Sequence, residues 1–305
     1  MTTHTETSPT TDQAPAPAPG KRKTEKIYFF FLLPSVLLFT LAITVPAIIG
    51  LFYSFTNSIG FGDWELIGLT NYLVAFSDPA ILSSYLFTFG FATATVIVVN
   101  VIAFLLAVGL TSRIRFKTAL RAIFVIPMVI SGIIIAYVFQ FLFSNTLPQF
   151  GSALGLDTLS TTILANPDLA WIAIVVVTAW QAMPGTMLIY IAGLLAIPGD
   201  VYEAAAIDGA SAVQKMLRIT LPLMFGYVVI NIILGFKNYL NAYDIIVGLT
   251  NGGPGTATRS IAMTIISGFS TGDYAYQMAN ATIFFVIAVL ISVLQLSLTR
   301  GRGQL

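Results

Sequence analysis

Polar side chains inside otherwise charge-free apolar runs are the groups in this chain that could do chemistry. One run carries Thr178, Gln181 and Gly185, spaced three and four apart on one helical face, beside Trp180 and the kink-prone Pro184. A second carries Gly235, Asn238, Tyr239 and Asn241 within two turns. Carboxamides, a hydroxyl and aromatic rings supply the hydrogen bonds and flat faces that hold a polyhydroxylated solute. The same groups also knit membrane helices together, and spacing alone leaves both roles open. Catalysis is poorly served. The single histidine, His4, lies in a Thr/Pro/Ala-rich tail, and the absence of cysteine removes thiolate metal sites, disulfides and cysteine nucleophiles. No two acids fall at intramembrane positions suited to a carboxylate pair, and no phosphate-cradling Walker sequence occurs.

Two charges accompany these runs. Lys237 lies fifteen residues beyond Pro222, about 22 Å up a helix and close to an interface, where a lysine can snorkel or face a cavity. Asp244 follows seven residues later, on a similar face about 10 Å further along a straight helix and too far for a direct pair.

The elements that must position these residues are transmembrane helices. Of 305 residues 57% are hydrophobic and only 9% charged, with a mean hydropathy of +0.89, far from the composition of a soluble domain. Apolar runs at 27–53, 86–110, 122–143, 169–196, 221–241 and 276–299 each approach or exceed the ~20 residues that cross a bilayer as helix. The sequence therefore predicts an all-α polytopic membrane protein with six transmembrane helices. Its organisation is a disordered cytoplasmic tail at 1–26, a first transmembrane helix at 27–53, an extracytoplasmic loop at 54–85, a core of five further helices at 86–300, and a short cytoplasmic tail at 301–305. The first run lacks a small-residue cleavage site and is expected to be a retained anchor.

Basic residues set the orientation. Lys21, Arg22, Lys23 and Lys26, then Arg113, Arg115, Lys117 and Arg121, then Lys215 and Arg218, then Arg300 and Arg302 all fall on one side, leaving only Lys237 and Arg259 elsewhere. Both termini are expected in the cytoplasm of a plasma-membrane protein. With Lys+Arg 14 against Asp+Glu 13, the charge balance does not call for a nucleic-acid partner.

That orientation puts the segment 200–220 on the cytoplasmic side, between the fourth and fifth runs. Asp200 with Glu203 spells an Asp-x-x-Glu capping box, Gly209 can end the helix in a left-handed turn, and Ser211 with Gln214 starts a second helix towards Pro222. A turn that merely connects two spans would use the same punctuation. On the outer side, Asn251, Gly252, Gly253 and Pro254 form a loop breaker that is either a structural turn or a contact for an external protein.

Glu203, Ala204, Ala205, three residues, Gly209, nine residues, and Ile219-Thr-Leu221-Pro222 together resemble the signature loop of permease subunits of bacterial ATP-binding-cassette importers. "YDIIVGLTNGGPGTAT" at 243–258 looks like a segment of the maltose-type carbohydrate-uptake branch, and "IGLTNY" at 67–72 and "IPG" at 197–199 agree with it. The resemblance covers about residues 27–300 and implies the type I importer permease fold. It implies that Glu203, Ala204, Ala205, Asp208, Gly209, Ile219, Leu221 and Pro222 belong to a loop of coupling helices that docks on a cytoplasmic ATPase. It also implies that the fourth and fifth helices line the solute path, and that Asn251 to Pro254 meet an extracytoplasmic sugar-binding protein. The implied partners are a second permease in a heterodimer, two ATPase subunits carrying ATP and magnesium, and membrane lipid. This chain itself would be non-catalytic and bind no cofactor or metal. The rival readings are a permease of the same kind for a non-sugar solute such as glycerol phosphate, and an ion-coupled secondary transporter. For the latter only Lys237 and Asp244 could serve as ligands, and no internal repeat is seen.

Overall fold

The computed structural model describes residues 26–112 and 114–300. The expected tail up to Glu25, the loop residue Arg113 and residues 301–305 lie outside them. The chain divides into two compact units, residues 1–49 and 50–305. The first is carried by the apolar helix α1, Tyr28–Tyr53, which passes through a π-helical turn at Thr40–Thr44. Its Phe29, Phe30, Phe31 and Leu33 are exposed, as suits a helix whose backbone is satisfied internally and whose side chains meet hydrocarbon.

The second unit opens with a short irregular segment. The Asn71 carboxamide donates to the carbonyls of Ser54 and Thr56 at 2.9 and 2.8 Å, and the Tyr72 and Ser54 hydroxyls lie 2.5 Å apart. The last two residues of "IGLTNY" thus hold the chain at Ser54 and Thr56. Helix α2, Thr70–Ser77, is followed by α3, Pro79–Thr111. Asp78 caps α3 by accepting from the Ala80 amide at 2.8 Å, with Pro79 at its first position. The helix therefore starts seven residues before the expected 86, well inside the segment 54–85 read as loop. Its 33 residues reach about 50 Å, beyond the ~30 Å hydrocarbon core.

The third apolar run is divided. Helix α4, Lys117–Val129, ends beyond Pro127, and α5, Gly132–Ala153, begins after extended backbone at Ile130 and Ser131. Helix α6, Pro167–Ala196, is continuous through Pro184. Helix α7, Gly199–Ile207, leads to α8, Ala212–Leu223, and α9, Phe225–Leu240; α8 and α9 meet at a 61° bend. Besides α2, which lies in the segment expected as loop, two helices were not foreseen, α10, Asp244–Thr250, and α11, Ile261–Thr271. Helix α12 runs Tyr274–Arg300. Among the described residues α1, α3, α5, α6 and α12 are long and apolar enough to cross a membrane, and the bent pair α8–α9 brings the number to six where it counts as one span.

Helices α3 and α6 form the spine. On one half Phe91, Val96 and Val99 pack with Ile174, Val177, Tyr239, Ile246 and Leu249. On the other Ala103, Ala107 and Leu110 pack with Met183, Met187, Tyr190 and Met224. Ala103 and Ala107, four residues apart and fully buried, let backbones approach as small residues do in bilayers. Between the halves the Tyr190 hydroxyl donates to Asn100 Oδ1 at 2.5 Å, while Asn100 Nδ2 donates to the Val96 carbonyl at 2.7 Å. A Cβ on Gly193 would fall 2.7 Å from the Tyr227 ring, so glycine sets how closely α9 lies on α6.

Candidate solute cavity and coupling loop

A cavity of about 520 Å³ is bordered by Thr178, Gln181 and Gly185 of α6, Gly235, Asn238 and Tyr239 of α9, and Asn241 just past the end of α9. All seven residues singled out by their spacing border one space, although their surroundings differ. Gln181 Nε2 donates to the Ile130 carbonyl at 2.9 Å, satisfying the backbone where α4 stops. Thr178 is only 6% exposed, yet its Oγ1 is buried with no hydrogen-bond partner, whereas a helical threonine usually bonds back to its own helix. The Tyr239 ring lies 3.3 Å from where a Cβ on Gly235 would be, so Gly235 makes room for that ring. Asn238 is exposed, and Asn241 donates to the Lys237 carbonyl at 2.9 Å.

Six residues decide the geometry of the loop between α6 and α9. Asp200 does not cap α7: that helix begins at Gly199 behind Pro198 with no side-chain cap, so the expected Asp200 and Glu203 box is absent. Pro198 takes the N-cap position with ψ near 137°, placing Asp200 inside the first turn, where its carboxylate can only face the helix dipole. At the other end Gly209 has φ +73°. Its amide bonds Ala206 O at 3.1 Å and the Ala210 amide bonds Ala205 O at 2.9 Å, the paired closure of a Schellman turn. Ser211 and Gln214 form the expected capping box at α8, with distances of 2.7 and 3.3 Å. The Thr220 hydroxyl is buried and lies 2.9 Å from the Tyr202 hydroxyl, tying α8 back to α7. Of the three alanines only Ala205 turns inward; Glu203, Ala204 and Asp208 are exposed. Ile219 is half-buried, while Leu221 and Pro222 are exposed where the chain enters the bend. Ile207 is 87% exposed, with Val213 and Leu217 also exposed.

The loop at 251–258 is braced from within. Asn251, Gly252 and Gly255 take left-handed conformations, and the Gly253–Pro254 peptide is cis. Thr258, fully buried, donates to the Gly253 carbonyl at 2.6 Å, and its Oγ1 lies 2.8 Å from that of Thr250. Asn251 is exposed, Gly253 and Pro254 are half-buried, and Gly252 is buried, with the Arg259 and Met263 side chains 3.4 Å from where its Cβ would sit. Gly252 is therefore present for its backbone. Arg259 donates to Ser267 Oγ beside a second cavity of about 560 Å³.

Residues 100–302, which include the cavity wall and the loop with its glycine turn, match the family described as "Binding-protein-dependent transport system inner membrane component". The chain belongs to this family. Among curated relatives of this permease, "Multiple sugar-binding transport system permease protein MsmF" of Streptococcus mutans is 34% identical over 88% of this chain and 94% of its own. "Probable starch degradation products transport system permease protein AmyD" of Thermoanaerobacterium thermosulfurigenes is 32% identical over 90% and 94%. A bacterial alginate ABC transporter, crystallised in complex with alginate pentasaccharide-bound periplasmic protein, contains a chain with the same fold, at a TM-score of 0.80, 21% identity, and 92% and 96% coverage.

The permease also places residues around the cavity that spacing did not single out. Asn231, 2% exposed, donates to the Thr186 carbonyl at 3.4 Å. It sits one turn before Gly235 and two before Asn238, so extending the stripe would have reached it. Tyr243, Asp244 and Met128 also line the cavity, but they sit at helix ends that periodicity does not mark. The straight-helix relation expected between Lys237 and Asp244 does not hold. Helix α9 stops at Leu240 and Asp244 begins α10. Lys237 borders a separate small pocket with Phe236, Ser292 and Gln295, whereas Asp244 borders the main cavity.

Proposed function

We propose that this permease is one half of the transmembrane path of an ATP-driven, binding-protein-dependent sugar importer, with an oligosaccharide or glycoside as solute. The observation that carries the reading is the convergence of carboxamides, a hydroxyl and a tyrosine on one cavity between α6 and α9, chemistry suited to a polyhydroxylated solute. The named substrates of MsmF and AmyD support it, and the alginate transporter supports an extracytoplasmic binding protein as partner.

In this reading the chain pairs with a second permease and with two cytoplasmic ATPases, which bind ATP and magnesium, while the chain itself is non-catalytic. The exposed Ile207, Val213 and Leu217 form the apolar part of a docking surface, with Glu203 and Asp208 as its polar rim. Closure of the ATPase dimer on ATP moves α7 and α8 as a lever. The capping box and the Tyr202–Thr220 contact make the loop stiff, and the displacement reaches α9 through the bend at Met224. The cavity then turns from inward-facing to outward-facing, and the binding protein, docked near Asn251, Gly253 and Pro254, releases sugar into it. Both termini lie in the cytoplasm.

The path is tested with Gln181→Ala and Tyr239→Ala in the assembled importer, measuring sugar uptake beside the ATPase activity stimulated by loaded binding protein. Uptake or sugar preference changes while stimulation persists; if both variants leave uptake rate and selectivity at wild-type values, the path lies elsewhere. Orientation is tested in the naturally cysteine-free chain by labelling. A cysteine at Ser211 reacts only with reagents that reach the cytoplasm, and one at Ser152 only from outside. Labelling of Ser211 from outside refutes the orientation.

A further inference from the structure

The cavity contains one ionisable carboxylate and no cation. Lys, Arg and His are absent from the described residues that line it, and Asp244 is the only acid there. The other polar residues lining the cavity, Gln181, Asn231, Asn238, Asn241 and Thr178 among them, are uncharged. The nearest base in sequence on the same wall, Lys237, borders a different pocket with Ser292 and Gln295. Among the described residues no hydrogen bond or ion pair engages the exposed Asp244 side chain. Thr178, nine-tenths buried, also lines this space, and its hydroxyl is buried without a partner. A buried hydroxyl without a partner is uncommon.

Each group has a definite preference. A carboxylate accepts hydrogen bonds from adjacent hydroxyls of a sugar ring, and charge-assisted bonds of this kind are stronger than neutral ones. The same carboxylate repels a uronate or a phosphate, and in a partly dehydrated cavity that repulsion exceeds its value in water. Carboxamides offer an anion only neutral donors, so nothing on this wall offsets it. We propose that Asp244 makes the cavity selective for uncharged polyhydroxylated solutes and excludes anionic ones. Discrimination of this kind works through the repulsive element as much as the attractive one. The proposal rests on reading the cavity as the solute path.

The test reads occupancy of the cavity directly, bypassing the choice made by the binding protein. In the assembled importer, Asn238→Cys is labelled with the uncharged reagent N-ethylmaleimide, in the presence of neutral maltotriose or anionic trigalacturonate. A cysteine at Ser152 serves as a control for the reagent. With Asp244 present maltotriose slows labelling of position 238, and trigalacturonate requires at least about tenfold more to do the same. With Asp244→Asn added, the two saccharides protect at similar concentrations. Equal protection by both saccharides while Asp244 is present overturns the charge rule and leaves the path reading standing. Continued exclusion of trigalacturonate in Asp244→Asn also overturns it, because the discriminating charge then lies elsewhere. Failure of both saccharides to protect in either background overturns the path reading, and this proposal with it.

Discussion

The cavity wall on α6 and α9 and the loop from α7 to α8 are both polar segments of an apolar chain, but their surfaces are satisfied in different ways. In the loop the helix ends are closed locally, by the Schellman turn at Gly209 and the box of Ser211 and Gln214, and large apolar side chains, above all Ile207 at 87% exposure, stand open among exposed Glu203 and Asp208. In the cavity exposed Met128 and Leu234 stand beside exposed polar groups, the Asn238 carboxamide and the Asp244 carboxylate, with the Thr178 hydroxyl buried and unpaired behind them. Leftover apolar surface is matched by another protein. Leftover hydrogen-bonding capacity is matched by a hydroxylated solute. In the proposed function this contrast would separate a coupling surface from a binding surface, both lying between Thr178 and Asp244.

Three substitutions can break or sharpen that contrast. The largest effect is expected from Ile207→Asp, which leaves the fold untouched because the side chain is exposed. Losing a central apolar contact costs about 2 kcal/mol, roughly thirtyfold in ATPase retention on purification; retention equal to wild type would show that the loop does not dock through this residue. Gly209→Val comes next. No atom lies within 4 Å of a Cβ there, so the cost is backbone strain at φ +73°, about 1–2 kcal/mol. Transport falls several-fold with insertion intact, and Gly209→Asn, which tolerates the left-handed region, recovers most of it. Equal defects in Val and Asn variants would assign the loss to missing glycine flexibility rather than to turn conformation. The smallest effect on the fold is expected from Thr178→Val. Removing an unpartnered hydroxyl leaves thermal stability unchanged or raises it by up to about 1 kcal/mol, while sugar uptake falls a few-fold. An unchanged uptake rate would make Thr178 a packing residue.

Much of this was legible in one dimension. Alternation of charge-free runs with basic loops located six spans, and the stripes at Thr178, Gln181 and Gly185 and at Gly235, Asn238 and Tyr239 pointed at the same space, because helical periodicity converts spacing into a face. Asp200 misled for a local reason: Pro198 precedes it and takes the cap position, and capping preference alone does not choose between neighbouring candidates. Helices α10 and α11 escaped notice because each is shorter than a span and sits in a stretch rich in glycine and polar residues.

The sequence by itself determined the apolar runs, the glycine turn, the capping box and the polar stripes, because each follows from interactions within a few residues. Only the tertiary structure decided where the helices break and what those breaks hold. The stop at Ile130 is completed by Gln181, 51 residues away, and the start of α3 is drawn back to Asp78. The end of α9 at Leu240 turns Asp244 into the cavity rather than along a helix face. These outcomes depend on partners distant in the chain: in a bilayer a broken helix survives only where a neighbour satisfies its backbone, and no local pattern records which neighbour that is.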